Sequence, residues 1–193
     1  MLMAGTACAL VLGLPGTCRA QEAATPITAA NRVEWVNDSI IGRWSLAAGV
    51  LVAGSQTAFD LPPEWHRSAG GFVRRYIARD AAIATSNSIE AGLGAMWAED
   101  PRYFKCQCDG IKSRVAHAAT FAVLAQRSDG HLAPAWGRYA GTMTSSIVQN
   151  AWLPPSARGW QQTILREATA FSGRFVGNLW SEFWPEVARS IRH

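Results

Sequence analysis

Lysine is nearly missing from this sequence: Lys105 and Lys112 stand beside 16 arginines and 14 acids, for a net charge of +4. The arginines are scattered from Arg32 to Arg192 and do not cluster, so no basic stripe forms and nucleic acid is excluded as the expected partner. Charge of either sign is scarce, at 17% of residues against roughly 25% in an average soluble domain. Long apolar runs are missing as well. Between Arg43 and Asp60 lie 16 uncharged residues, WSLAAGVLVAGSQTAF, short of the about 20 apolar residues that cross a bilayer. No stretch alternates apolar and polar residues with period two, so no strand is predicted. Neither a Gly-x-Ser-x-Gly elbow nor a glycine-rich phosphate loop occurs, so no catalytic residue or cofactor is expected from motif.

Hydrophobic residues make up 49% of the chain, and nine of its 193 residues are tryptophan, an amphipathic ring suited to interfaces as well as cores. Met1 to Ala20 reads as a secretory signal, with an apolar run from Leu2 to Leu14, a Pro15-Gly16 break and small residues at Cys18 and Ala20. Neither Cys8 nor Cys18 lies in a lipoprotein cleavage pattern, so no lipid anchor is expected. Residues 21–27 form a short polar leader, and 28–193 form a single helical domain of a size that supports one core. The expected location is the periplasm or cell envelope.

The domain is predicted to be all-α, a compact bundle of about five helices. Thr28 caps the first, which runs on through Arg43 until Asp60-Leu61-Pro62-Pro63 stops it. A long helix then spans Ser68 to Trp97, with Ala81, Ala84, Ser88, Ala91 and Ala95 as a small-residue stripe. Arg75, Arg79, Ser86 and Glu90 make a polar line on it. A shorter helix covers Ile111 to Gln126. Two more, Ala135 to Trp152 and Trp160 to Trp184, carry Gly137-Gly141-Ser145 and Gly173-Gly177-Ser181, and these small faces are expected to meet as a close antiparallel pair.

Few residues invite chemistry. Glu90 lies among apolar neighbours, where burial would suit it to proton transfer, and His117 is the nearest candidate partner. The alternative for Glu90 is a structural pair with Arg79 or with an arginine from a neighbouring helix. Cys106 and Cys108 are the cysteines left after the signal, and they read as a disulfide or as free thiols in an exposed connection. Metal coordination lacks the Cys-x-x-Cys or His-x-x-x-His spacing it needs. Asp100 and Arg102, and then Arg127 and Asp129, are polar clusters that each fix their own turn without meeting.

PEW at Pro63, EAGLGAMWAEDPRYF at Glu90, RVAHA at Arg114, RSDG at Arg127, NAW at Asn150 and NLWSEFWPEV at Asn178 resemble an uncharacterised family of exported, helix-rich proteins from Gram-negative soil bacteria. That resemblance implies export and no established activity. The leading expectation is a non-catalytic envelope protein that meets a membrane surface or an envelope partner through Gly/Ala/Trp-rich helices. The alternatives are a periplasmic enzyme using Glu90 and His117, and a binding module for a small apolar ligand between helices.

Overall fold

The computed structural model describes residues 26–191; the signal sequence and most of the leader lie outside them. The class is all-α. Six α-helices are described: α1 (Ala29–Ile41), α2 (Arg43–Ala58), α3 (Ala69–Met96), α4 (Ile111–Val123), α5 (Trp136–Val148) and α6 (Trp160–Ile191). Thr28 opens α1 with a capping box closed by Asn31, and the Ser68 hydroxyl accepts from Gly71 N at 3.0 Å to open α3. Gly42, with ψ at 143°, breaks the first predicted helix into α1 and α2. At the other end of the chain Pro185 does not stop α6. Arg114 holds the turn around it, donating to the Glu182 carbonyl at 2.6 Å and to the Glu182 and Glu186 carboxylates. These bonds offset the loss from an interior proline, about 3 kcal/mol.

A small antiparallel sheet corrects the expectation of no strands: β1 (Glu99–Asp100), β2 (Leu124–Arg127) and β3 (Leu132–Pro134), in that order. Its strands are two to four residues long, too short for a period to show. Glu99 lies opposite Arg127, and Ser128 N donates to the Ala98 carbonyl at 2.9 Å. The two polar clusters expected to stay apart are therefore neighbours. The helical segment ends three residues early, at Val123, and the chain returns as β2 alongside β1.

α3 is the central element, and the small face of α5 lies on it rather than on α6. Ser145 Oγ donates to the Ala82 carbonyl at 2.9 Å, and a methyl built at Gly137 would stand 3.0 Å from the Glu90 carbonyl oxygen and the Gly94 nitrogen. At Gly141 an added methyl would collide with the Ser86 carbonyl. Gly173 and Gly177 on α6 meet nothing. The predicted pairing of the two small faces is thus overturned: only one is used, and the α3 face it meets carries Ser86, Glu90 and Gly94. Ser88 and Ala95 of the predicted stripe are exposed.

Gly141→Ala should lower stability by about 1–3 kcal/mol, because α5 must move off α3. Gly173→Ala should raise it by up to about 1 kcal/mol through helix propensity. Thermal unfolding followed by circular dichroism separates the two.

Candidate functional site

Burial in this protein runs opposite to the usual sorting. The apolar side chains that are buried are mostly alanines, joined by Phe121 and Leu153, while Arg32, Arg75, Arg138, Glu90, Glu99, Asp100 and Glu182 are all inside. Buried charge is stable only where it is paired and hydrogen-bonded, and here it is.

Glu90 sits at the crossing of α3, α5 and α6, 3% exposed. Its Oε1 accepts from Arg138 Nε at 2.9 Å, and its Oε2 pairs with Arg174 Nη2. Arg138 continues outward: its Nη1 donates to the carbonyls of Phe121 at 2.8 Å, Ala122 at 3.0 Å and Leu124 at 3.3 Å, satisfying the open end of α4. The Arg174 guanidinium lies 5.5 Å from the centre of the Trp35 ring, and its burial pulls its pKa down, with Glu90 opposing.

Other arginines act on helix ends in the same way. Arg32 donates to the carbonyls of Ala91 at 3.2 Å and Glu99 at 2.7 Å beyond the end of α3. Arg75 gathers the carbonyls of Leu61, Pro62 and His66 at 2.7, 2.9 and 2.9 Å, which fixes the turn between α2 and α3. Arg166 donates to Ser146 O at 2.8 Å near the end of α5. A guanidinium presents five donors in a planar fork, which one ammonium cannot match, so the shortage of lysine has a structural reason.

A second carboxylate, Glu182, accepts from Tyr103 Oη at 2.8 Å, Arg114 Nε at 2.9 Å and Cys106 N at 3.1 Å. Burial works to raise its pKa, but the bonds from Arg114, Tyr103 and the Cys106 N–H hold it below the ordinary carboxylate value. Burial, and then Glu182 itself, push the Tyr103 phenol well above its usual range, so Tyr103 stays a donor.

His117 is held by the Phe104 carbonyl at 2.8 Å and lies against Tyr103 and Phe121. Glu90 is engaged by Arg138 and Arg174 and has no bond to His117, so the structure does not join the two as an acid/base pair. Arg79 does not pair with Glu90; it pairs with Asp80 at 2.7 Å and reaches Ser45. Arg102 pairs with Asp100 at 2.6 Å, and Asp129 accepts from His131 N at 3.0 Å as its turn requires. Cys106 and Cys108 are joined as a disulfide. Among the described residues no group of three or more His, Cys, Asp or Glu could hold a metal.

The outer surface is the complement of this interior. Exposed large apolar side chains occur on all six helices. Along α6 every exposed residue from Trp160 to Pro185 is uncharged, including Ile164, Leu165, Val176 and Trp180, while Arg166, Glu167, Arg174 and Glu182 turn inward. From Ile77 to Trp97 the exposed residues of α3 are also uncharged, as are those of α5 and of 44–59 in and after α2. No helix among the described residues is long and apolar enough to cross a membrane. The charges that make α3 and α6 polar as segments are mostly the ones that face inward.

Comparison with protein-family models, with curated proteins and with solved structures finds no match to this chain.

Replacing Glu90 by Gln leaves two largely buried guanidiniums without their counter-charge and should cost about 3–5 kcal/mol, whereas Glu186→Gln, at an exposed pair, should cost under about 1 kcal/mol. Equilibrium unfolding compares them. For Glu182 the folded carboxyl titrates below the ordinary 4.5, so its contribution is complete above that value and is lost as pH falls through the lower folded one. An acid melt of Glu182→Gln should lack that part of the pH dependence.

Proposed function

We propose that the protein is a non-catalytic component of the cell envelope that holds its apolar outer faces against membrane lipid. The observation that carries this reading is the pairing of an uncharged exterior on long stretches of α2, α3, α5 and α6 with an interior whose charges are paired. In water such an arrangement exposes what the hydrophobic effect would bury. In lipid it is the favourable sorting, because ionisable groups there turn to the bundle interior and pair with one another or with carbonyls. Gly137, Gly141 and Ser145 of α5, packed against α3, provide the small-residue contact that replaces hydrophobic association between helices in lipid. Apolar exposure on every helix favours lipid over a protein partner, which would cover one side. The secretory pattern of Met1 to Ala20 and the resemblance to exported proteins agree with an envelope location.

Fractionation of cells expressing the full chain, with carbonate and high-salt washes, tests the reading. The protein should stay in the membrane pellet through both washes. A Val176→Arg variant places a charge on the outer face, at a cost of about 2.5–3.5 kcal/mol in lipid and almost nothing in water, and should reduce the retained fraction tenfold or more. Recovery of the native chain as a soluble monomer contradicts the proposal. Recovery in a soluble complex assigns the apolar faces to a protein partner instead, and contradicts it equally.

A further inference from the structure

One cavity has the walls and charge of a ligand site. It encloses about 380 Å³ between α1, α4, α5 and α6, within the size range of small-molecule sites, and Trp35, Pro101, Tyr103 and Phe121 form its apolar walls. Arg138, which is buried, and Arg174 line it together with Ser181, an exposed residue of α6. The lining carries surplus positive charge. Two guanidiniums share the single carboxylate of Glu90, while Arg102, also on the wall, is matched by Asp100.

The donors are also incompletely used. Arg138 spends Nε on Glu90 and Nη1 on three carbonyls, and Arg174 spends Nη2 on Glu90. Among the described residues no acceptor meets Arg138 Nη2 or Arg174 Nε and Nη1. The Arg174 side chain is 22% exposed, so part of it is open to a ligand entering the cavity. A desolvated guanidinium with free N–H groups calls for an oxyanion, and carboxylate and phosphate match its fork.

We propose that the cavity lined by Trp35, Phe121, Arg138 and Arg174 binds the phosphate or carboxylate head of an amphiphile. The oxyanion accepts from the free N–H groups and neutralises the surplus charge beside Glu90. The first carbons of the tail lie on the Trp35 and Phe121 rings and leave past Ser181 toward the apolar face of α6. The site stands whether or not the whole exterior contacts lipid, so its failure and that of the membrane reading are separable.

Isothermal titration calorimetry of the full chain in dodecyl maltoside tests it, with octyl phosphate, octyl glucoside and inorganic phosphate as probes. Partition into micelles contributes equally for every variant and is removed by comparing variants. Octyl phosphate should bind saturably, at least about tenfold more tightly than octyl glucoside, a difference of about 1.4 kcal/mol. Arg174→Gln, which keeps the Glu90–Arg138 pair, and Ser181→Trp, which closes the mouth without touching an arginine, should each weaken that binding tenfold or more. A matching response to inorganic phosphate identifies a soluble anion as the ligand and overturns the amphiphile. Equal binding of the phosphate and glucoside probes, or of native chain and Ser181→Trp, overturns the site altogether.

Discussion

The Glu90 carboxylate, shared by Arg138 of α5 and Arg174 of α6, is the contact on which the remaining architecture depends. It ties three helices at one point, and through Arg138 it reaches the open carbonyls at the end of α4. A buried charge of this kind is a poor source of net stability compared with apolar packing. Its effect is on specificity, because any register in which α5 slides on α3 by one turn strands a guanidinium without a partner. The close contact of Gly137 and Gly141 with α3 makes the same demand sterically. Charge pairing and the absence of side chains act together: the helices must approach closely for Arg138 to reach Glu90, and only glycine permits that approach.

Arginine serves a second purpose that follows from helix geometry. Each helix leaves carbonyls unsatisfied at its C-terminus, and a buried end needs donors to meet them. Arg32, Arg138 and Arg166 supply these at α3, α4 and α5, and Arg75 does so for the turn after α2. Side chains that read in the sequence as a dispersed positive charge are thus internal fittings. The surface is left uncharged over long stretches because the charge has been drawn inside.

Much of the helical framework was legible. The Ser68 cap and the small residues that follow announce α3, whose observed span of Ala69–Met96 differs from the expected one by a residue at each end. The capping signal at Thr28 was equally direct. What stayed hidden depends on contacts between distant residues. Strands of two to four residues have no readable period, and the meeting of Glu99 with Arg127 depends on where α4 ends. The small faces of α5 and α6 look alike in sequence, yet one is buried and the other open, since spacing alone does not name a partner. Glu90 could be singled out by its apolar neighbours. Arg174, 84 residues away, gave no local signal. The polar line Arg75, Ser86 and Glu90 was visible, but a polar face ordinarily points to water, and here it points inward.

Inversion of polarity is the claim that binds these observations, and the protein's own tryptophans report on it. Trp44, Trp97, Trp136, Trp152, Trp160 and Trp180 are exposed on the outer surface. In vesicles, lipids brominated along the acyl chain quench indoles that touch hydrocarbon, and aqueous acrylamide quenches those that touch water. An inverted bundle seated in lipid gives strong bromolipid quenching and weak acrylamide quenching of the native chain. Strong acrylamide quenching with fluorescence indifferent to bromination would show that these rings face water, and would contradict the inversion as a lipid adaptation.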